Sequence, residues 1–112
     1  MVKFVNFDLS ENLKFGHYEL PQHFCETIEH YLVRGYEPGG FVTSMLAKDY
    51  ERALCIADTA NRQRFWHIAT WIKENMPEGS WGSYEAVDAW CHDVNGCRTK
   101  WVTWRTLESV NE

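Results

Sequence analysis

The 112-residue sequence lacks the features that mark several large classes of protein. No apolar stretch approaches the roughly 18 residues of a membrane span, so we expect no contact with a membrane. Residues 1–19 carry five charged side chains and no apolar centre, so we expect no signal peptide. Lys and Arg never occur side by side, and the formal charge is −5. Proteins that follow nucleic-acid phosphates are usually basic, so general nucleic-acid binding is not expected.

Cysteine is sparse and shows no repeated metal-binding spacing. Cys91-His92 followed by Cys97 offers three ligands, and His23-x-Cys25 offers two more. Structural zinc sites usually combine two half-motifs with spacings of about two to five residues, whereas only one half-motif occurs here. We therefore expect no metal and no cofactor. The four cysteines, Cys55 included, are interpreted as thiols of a reducing cytosol, so we expect a cytoplasmic protein.

Aromatic residues are abundant, with six Trp, six Phe and five Tyr. They can fill the core of one domain of about 100–150 residues and leave some surface for an interface. For Trp66, Trp71, Trp81 and Trp90, packing in the core is the favoured interpretation. For Trp101 and Trp104, core packing and surface exposure are equally compatible with the pattern.

Apolar spacings of three and four predict an all-α fold, a compact orthogonal array of four or five short helices. Helices are expected over residues 20–34, 41–57 (as one bent helix or two), 60–75 and 84–94. Asp49, Ser83 and either Asp58 or Thr59 are expected N-caps, and Gly35 should end the first helix. Short β-strands could form at the two termini, at residues 2–7 and 101–104. We divide the chain into an N-terminal arm (1–19), a helical core domain (20–96) and a C-terminal extension (97–112).

Basic and aromatic residues alternate in two segments, which is the composition of interaction hot spots. The candidate binding residues are Arg62, Arg64 and Trp66 in the third predicted helix, and Arg98, Lys100, Trp101, Trp104 and Arg105 in the tail. In an acidic chain, such residues suit a small anionic ligand or an acidic protein surface better than a long polyanion.

A weaker anion-binding candidate is Gly39-Gly40, which precedes a helix N-terminus. The phosphate-loop pattern with its Lys is missing, and a tight turn also explains both glycines.

No catalytic constellation is evident, so we assign no catalytic residues. Cys97, His92 and Asp58 are the residues on which a small enzyme acting on a nucleotide-like substrate would depend. Cys97 also has a simpler interpretation as an ordinary exposed thiol, and Asp58 has one as a helix cap.

One set of motifs extends over residues 31–90. It comprises Tyr31-Leu32-Val33-Arg34-Gly35, Pro38-Gly39-Gly40-Phe41, Leu46-Ala47-x-Asp49, Ala57-Asp58-x-x-Asn61, Pro77-x-x-x-Trp81-Gly82-Ser83 and Trp90. This pattern resembles a group of small bacteriophage and bacterial proteins that has no established activity. The resemblance implies a phage or mobile-element context, with the cytosol of a bacterial host as the location, and it transfers no catalytic residue.

These observations favour a non-enzymatic binding protein of phage type. It would block a host component, as an anti-defence or host-modulating inhibitor does, or sequester a small anionic ligand. The alternatives are the small enzyme described above and a phage assembly component. Aromatic extensions on a small core also predict self-association, with a twofold dimer as the simplest form.

Overall fold

The computed structural model describes residues 20–110, and these residues form an all-α fold, as predicted. Their seven α-helices are α1 (Gln22–Arg34), α2 (Gly39–Leu46), α3 (Tyr50–Ile56), α4 (Thr59–Gln63), α5 (Phe65–Asn75), α6 (Tyr84–Cys91) and α7 (Cys97–Val110), with a 3₁₀ turn at Val94–Gly96. Within this range no strand occurs. None of these helices has the length and apolar character needed to cross a bilayer.

Side-chain caps begin three of the helices. Asp49, Asp58 and Ser83 each accept a hydrogen bond from the backbone N–H three residues later, at 3.4, 2.8 and 3.0 Å. Gly35 ends α1 in the left-handed region at φ 71°, where a residue without a side chain is least strained. The predicted caps Asp49 and Ser83 and the end of α1 are confirmed, and Asp58 is the cap of α4.

The predicted helix over residues 60–75 is two helices. They meet at Arg64, whose φ of −107° and ψ of 15° interrupt the helical backbone. Within α5, Phe65 is buried at 3% exposure, whereas the next residue, Trp66, faces solvent at 72%. The prediction that Trp66 packs in the core is therefore wrong. The segment 41–57 is also two helices, which was one of the two expected alternatives. Together with the tail helix α7, residues 20–110 contain seven helices where four or five were expected.

The tail from Cys97 is helical, so the strand predicted at residues 101–104 is wrong. Cys97 and Trp101 lie one helical turn apart and both pack against the core, with the Trp101 ring centroid 5.8 Å from that of Trp90. Burial at helical spacing outweighs the β-propensity of the Trp-Val-Thr-Trp segment. The strand predicted at residues 2–7 lies outside the described residues, and the three-part division of the chain stays a prediction.

The core is formed mainly by side chains from α1, α2, α5 and α6, and α3 contributes Ala53. The largest apolar and aromatic side chains with almost no exposed surface are Phe24, Ile28, Tyr31, Leu32, Met45, Leu46, Ile68, Trp71, Ile72 and Trp90. Core packing of Trp71 and Trp90 is therefore confirmed. The last core helix ends at Cys91, earlier than the predicted residue 94.

Two hydrogen bonds inside this core connect α1 to α6 and to the loop before it. The Tyr31 hydroxyl donates to the Ser80 carbonyl oxygen at 2.7 Å, and burial raises the pKa of Tyr31. The Trp90 indole N–H donates to the Tyr31 carbonyl oxygen at 3.2 Å. Because a buried polar group without a partner is costly, these bonds select one arrangement of the three segments.

We expect Trp90→Ala to lower the free energy of unfolding by about 3–5 kcal/mol, because it empties a large core volume and removes the indole donor. Trp90→Phe should cost less, since most of the ring volume is kept. Urea denaturation followed by circular dichroism measures both losses. Trp66→Ala is the control and should stay within about 1 kcal/mol of the parent; equal losses at both positions would contradict the packing described.

Candidate functional site

A cleft of about 380 Å³ lies between α5, the start of α3 and the loop 77–82. It is lined by Lys48, Tyr50, Trp66, Ala69, Thr70, Lys73 and Trp81. We call it the aromatic–basic cleft. Three aromatic rings and two ammonium groups contribute to its wall, and none of its lining residues is acidic.

One wall of the cleft is a face of α5. Trp66, Thr70 and Lys73 follow one another at helical spacing and are exposed. The Trp66 ring meets the buried Phe65 ring perpendicularly, with centroids 5.3 Å apart. Phe65 also meets Tyr50 at 6.0 Å. The core residue Phe65 therefore contacts two rings of the cleft, those of Trp66 and Tyr50.

The loop that carries Trp81 is anchored on both sides of this residue. Before it, the Ser80 carbonyl accepts the hydrogen bond of the Tyr31 hydroxyl. After it, the Gly82 N–H donates to the Leu46 carbonyl oxygen at 2.7 Å. Trp81 is therefore fixed between a bond to α1 and a bond to the end of α2, and its half-buried ring packs against the core.

Lys48 occupies an unusual backbone position at the rim of the cleft. Helix α2 ends in a Schellman motif, in which the Asp49 N–H donates to Ser44 O and the Lys48 N–H donates to Met45 O. The left-handed position of this motif usually holds Gly, but here it holds Lys48 with φ 64°. The Lys48 ammonium lies 5.2 Å from the centroid of the Trp81 ring, in a cation–π contact.

A second cleft, which we call the glycine cleft, has a volume of about 470 Å³. It is lined by Glu37, Pro38, Gly39, Gly40, Thr43, Ser44, Arg52, Tyr84, Val87, Asp88 and Cys91. Two carboxylates thus face one guanidinium. The anion-binding role of Gly39 and Gly40 stays a prediction, and the carboxylates in the same cleft work against it.

The predicted binding residues lie in different parts of the structure. Trp66 lines the aromatic–basic cleft, whereas Arg62 and Arg64 do not. Arg62 donates from Nη2 to the Ala57 carbonyl at 3.3 Å, close to the start of α4. The other six residues of the cleft wall were not predicted as binding residues, and they include the two lysines and two of the three aromatic residues.

In the tail, Arg98 stabilises the packing of α7. Its Nε donates to the Trp90 carbonyl oxygen at 3.1 Å. The guanidinium also lies over Gly35, where an added Cβ would come within 2.7 Å of Arg98 Nε. Trp101 packs on Trp90, whereas Lys100 and Trp104 are exposed. The side chain of Arg105 lies outside the description.

The residues on which an enzyme would depend each have a structural partner. Asp58 caps α4, and His92 Nδ1 lies 3.3 Å from an Asp88 carboxylate oxygen. The Cys97 thiol donates to the Ala89 carbonyl at 3.7 Å. Burial, followed by the carboxylates of Glu37 and Asp88, raises the pKa of the Cys91 thiol, which disfavours the nucleophilic thiolate. Among the described side chains of residues 20–104, no three His, Cys, Asp or Glu are arranged to hold a metal ion.

Comparisons of the chain with protein-family models, with curated proteins and with solved structures found no match in any of the three.

We expect Arg98→Met to lower the free energy of unfolding by about 1–3 kcal/mol, because it removes a charged donor at the C-terminal end of α6. Thermal and urea denaturation measure the loss. Lys100→Met is the matched control on the same helix and should change stability by less than about 0.5 kcal/mol. Equal stability of the two variants would assign Arg98 to the surface and restore it as a binding candidate.

Thiol reactivity should follow burial. Burial raises the pKa of Cys25 from 9.0 to about 11, so its thiolate fraction at pH 8 falls roughly 100-fold. Iodoacetamide should therefore modify the exposed Cys55 well before Cys25, as followed by peptide mass spectrometry. In urea the two rates should converge; a fast reaction of Cys25 in the native protein would show that α1 is open on its inner side.

Proposed function

We propose that the chain is a non-enzymatic binding protein whose aromatic–basic cleft takes up a small anionic ligand. The observation that carries this proposal is Trp66, which is 72% exposed on the wall of a cleft that contains two lysines. A large aromatic ring is usually buried, and its exposure beside cations matches the composition of binding sites.

Charge supports an anion as the ligand. The chain as a whole is acidic, yet Lys48 and Lys73 face the cleft and none of its lining residues carries a carboxylate. A local positive potential on an acidic protein attracts a small anion, whereas a long polyanion would also meet the negative remainder of the surface. The bacterial cytosol and the phage context remain part of the proposal.

A second candidate function is the blocking of a host protein through α7. Lys100 and Trp104 lie one turn apart on this helix, and Trp104 is 53% exposed. Trp together with a cation is the composition of an interface hot spot. This surface is separate from the aromatic–basic cleft, so the two candidates depend on different side chains.

The test uses 8-anilinonaphthalene-1-sulfonate, an aromatic anion, as the probe. We expect one probe per chain, with affinity lowered about 5- to 150-fold by Trp66→Ala, since ring stacking contributes about 1–3 kcal/mol. Lys73→Gln should also weaken binding, and added salt should do so in the parent protein. Probe fluorescence and isothermal titration calorimetry give the affinities.

Trp104→Ala and Lys100→Gln are the matched controls, with the same residue types on the exposed side of α7. Neither should change the affinity for the probe. Full affinity in Trp66→Ala would exclude the cleft as the anion site. A loss confined to Trp104→Ala would transfer the proposal to the α7 surface.

A further inference from the structure

We propose that the ligand of the aromatic–basic cleft is a nucleoside phosphate, an inference that rests on the proposed function of this cleft. A nucleoside phosphate joins a flat aromatic base to an anionic group in one small molecule. The wall of the cleft offers a partner for each part. Aromatic rings from three segments can stack on the base, and ammonium groups from two segments can bind the phosphate.

The rings offer faces on which a base can stack. Trp66 comes from α5, Tyr50 from α3 and Trp81 from the loop before α6. Stacking on an aromatic ring is tolerant of base identity, because every base has a π face. Most of the Trp66 surface is open to solvent, so this ring is available to a ligand without rearrangement of the core.

The cations have the chemistry of a phosphate site. Lys48 and Lys73 are compact point charges with three donors each, a type of group that commonly binds phosphate. Because no acidic side chain lines the cleft, neither ammonium is neutralised from within the wall. Since Lys48 already contacts the Trp81 ring, a phosphate at its ammonium places the attached base close to the rings.

The size of the cleft favours a single nucleotide over a polymer. Its volume of about 380 Å³ lies at the lower end of the range for small-molecule sites, about 300–1,000 Å³. The net charge of −5 opposes a chain of many phosphates. An acidic peptide supplies the charge but offers no aromatic face unless it also carries a ring.

The cleft is built before a ligand arrives. The backbone on both sides of Trp81 is held by the hydrogen bonds of Ser80 and Gly82, and the backbone of Lys48 is held by the Schellman motif of α2. A site that is already ordered loses less conformational entropy on binding. A lysine in the left-handed region is strained, and such positions are enriched at functional sites.

The experiment measures binding of AMP, adenosine, inorganic phosphate, a dT oligonucleotide and an acidic peptide by isothermal titration calorimetry. In parallel, ¹⁵N spectra of the six tryptophan indole N–H groups report which rings the ligand touches. The variants are Trp66→Ala, Lys48→Asn and Lys73→Gln, with Trp104→Ala and Lys100→Gln as controls. Asn tolerates the left-handed region, so Lys48→Asn removes the charge and keeps the backbone turn.

We expect AMP to bind at least tenfold more tightly than adenosine or phosphate, and to shift the indole signals of Trp66 and Trp81. Each cleft variant should lower the affinity for AMP at least fivefold, and the control variants should leave this affinity unchanged. The thermal midpoint of Lys48→Asn should equal or exceed that of the parent. AMP recovered unchanged after incubation supports binding, whereas its conversion to product would replace the binding role with catalysis.

Other outcomes separate this inference from the proposed function. If the naphthalene sulfonate binds through Trp66 but AMP binds no more tightly than phosphate, the cleft is an anion site, and the inference that its ligand contains a nucleoside is wrong. Preference for the oligonucleotide or for the acidic peptide overturns the inference in the same way. If no anion binds through Trp66, the inference and the proposed function fall together.

Discussion

The arrangement of the helices depends on two polar groups inside the core, the Tyr31 hydroxyl and the Trp90 indole N–H, which must both form hydrogen bonds. Tyr31 and Trp90 are almost completely buried, and each carries one donor that would be costly to leave unpaired. The Tyr31 hydroxyl satisfies this need on Ser80, and the Trp90 indole N–H satisfies it on Tyr31. The rings of these two residues also lie against each other, with centroids 6.3 Å apart. This contact and the two bonds favour one position of α6 and its preceding loop on α1, and Arg98 fastens α7 to the carbonyl of Trp90.

The hydrogen bond of the Tyr31 hydroxyl also positions one wall of the aromatic–basic cleft. Ser80 is held from the core and Gly82 is held from the end of α2, so Trp81 between them has little freedom to move. On the opposite wall, Phe65 lies inside and Trp66, the next residue of α5, lies outside. Successive residues of a helix point about 100° apart, so one can belong to the core while its neighbour lines the cleft.

Local features of the fold were predictable from the sequence, and features set by distant contacts were not. The caps Asp49 and Ser83 and the helix end at Gly35 follow from neighbouring residues alone, and all three are confirmed. No Gly or Pro marks the break at Arg64, and the helical state of the tail depends on the packing of Trp101 against Trp90. Trp66 was a predicted binding residue and lines the cleft. Lys48 and Trp81 join it only through the fold, because 33 positions separate them in the chain and no local motif relates them.

The connection between α2 and α3 consists of three residues, 47–49, and its last member, Asp49, makes four hydrogen bonds. Its N–H closes the end of α2, its carbonyl oxygen accepts the Ala53 N–H, one carboxylate oxygen caps α3, and the other accepts the hydroxyl of Tyr84 at 2.6 Å. These hydrogen bonds can all form only if the connection has its present length. A relative of this protein that lengthens the segment by even one residue must give up one of these bonds or rotate α3 and Tyr50 away from the cleft. Length variation among relatives should therefore be absent at this joint, and a gap in an alignment there would indicate that the cleft has been lost.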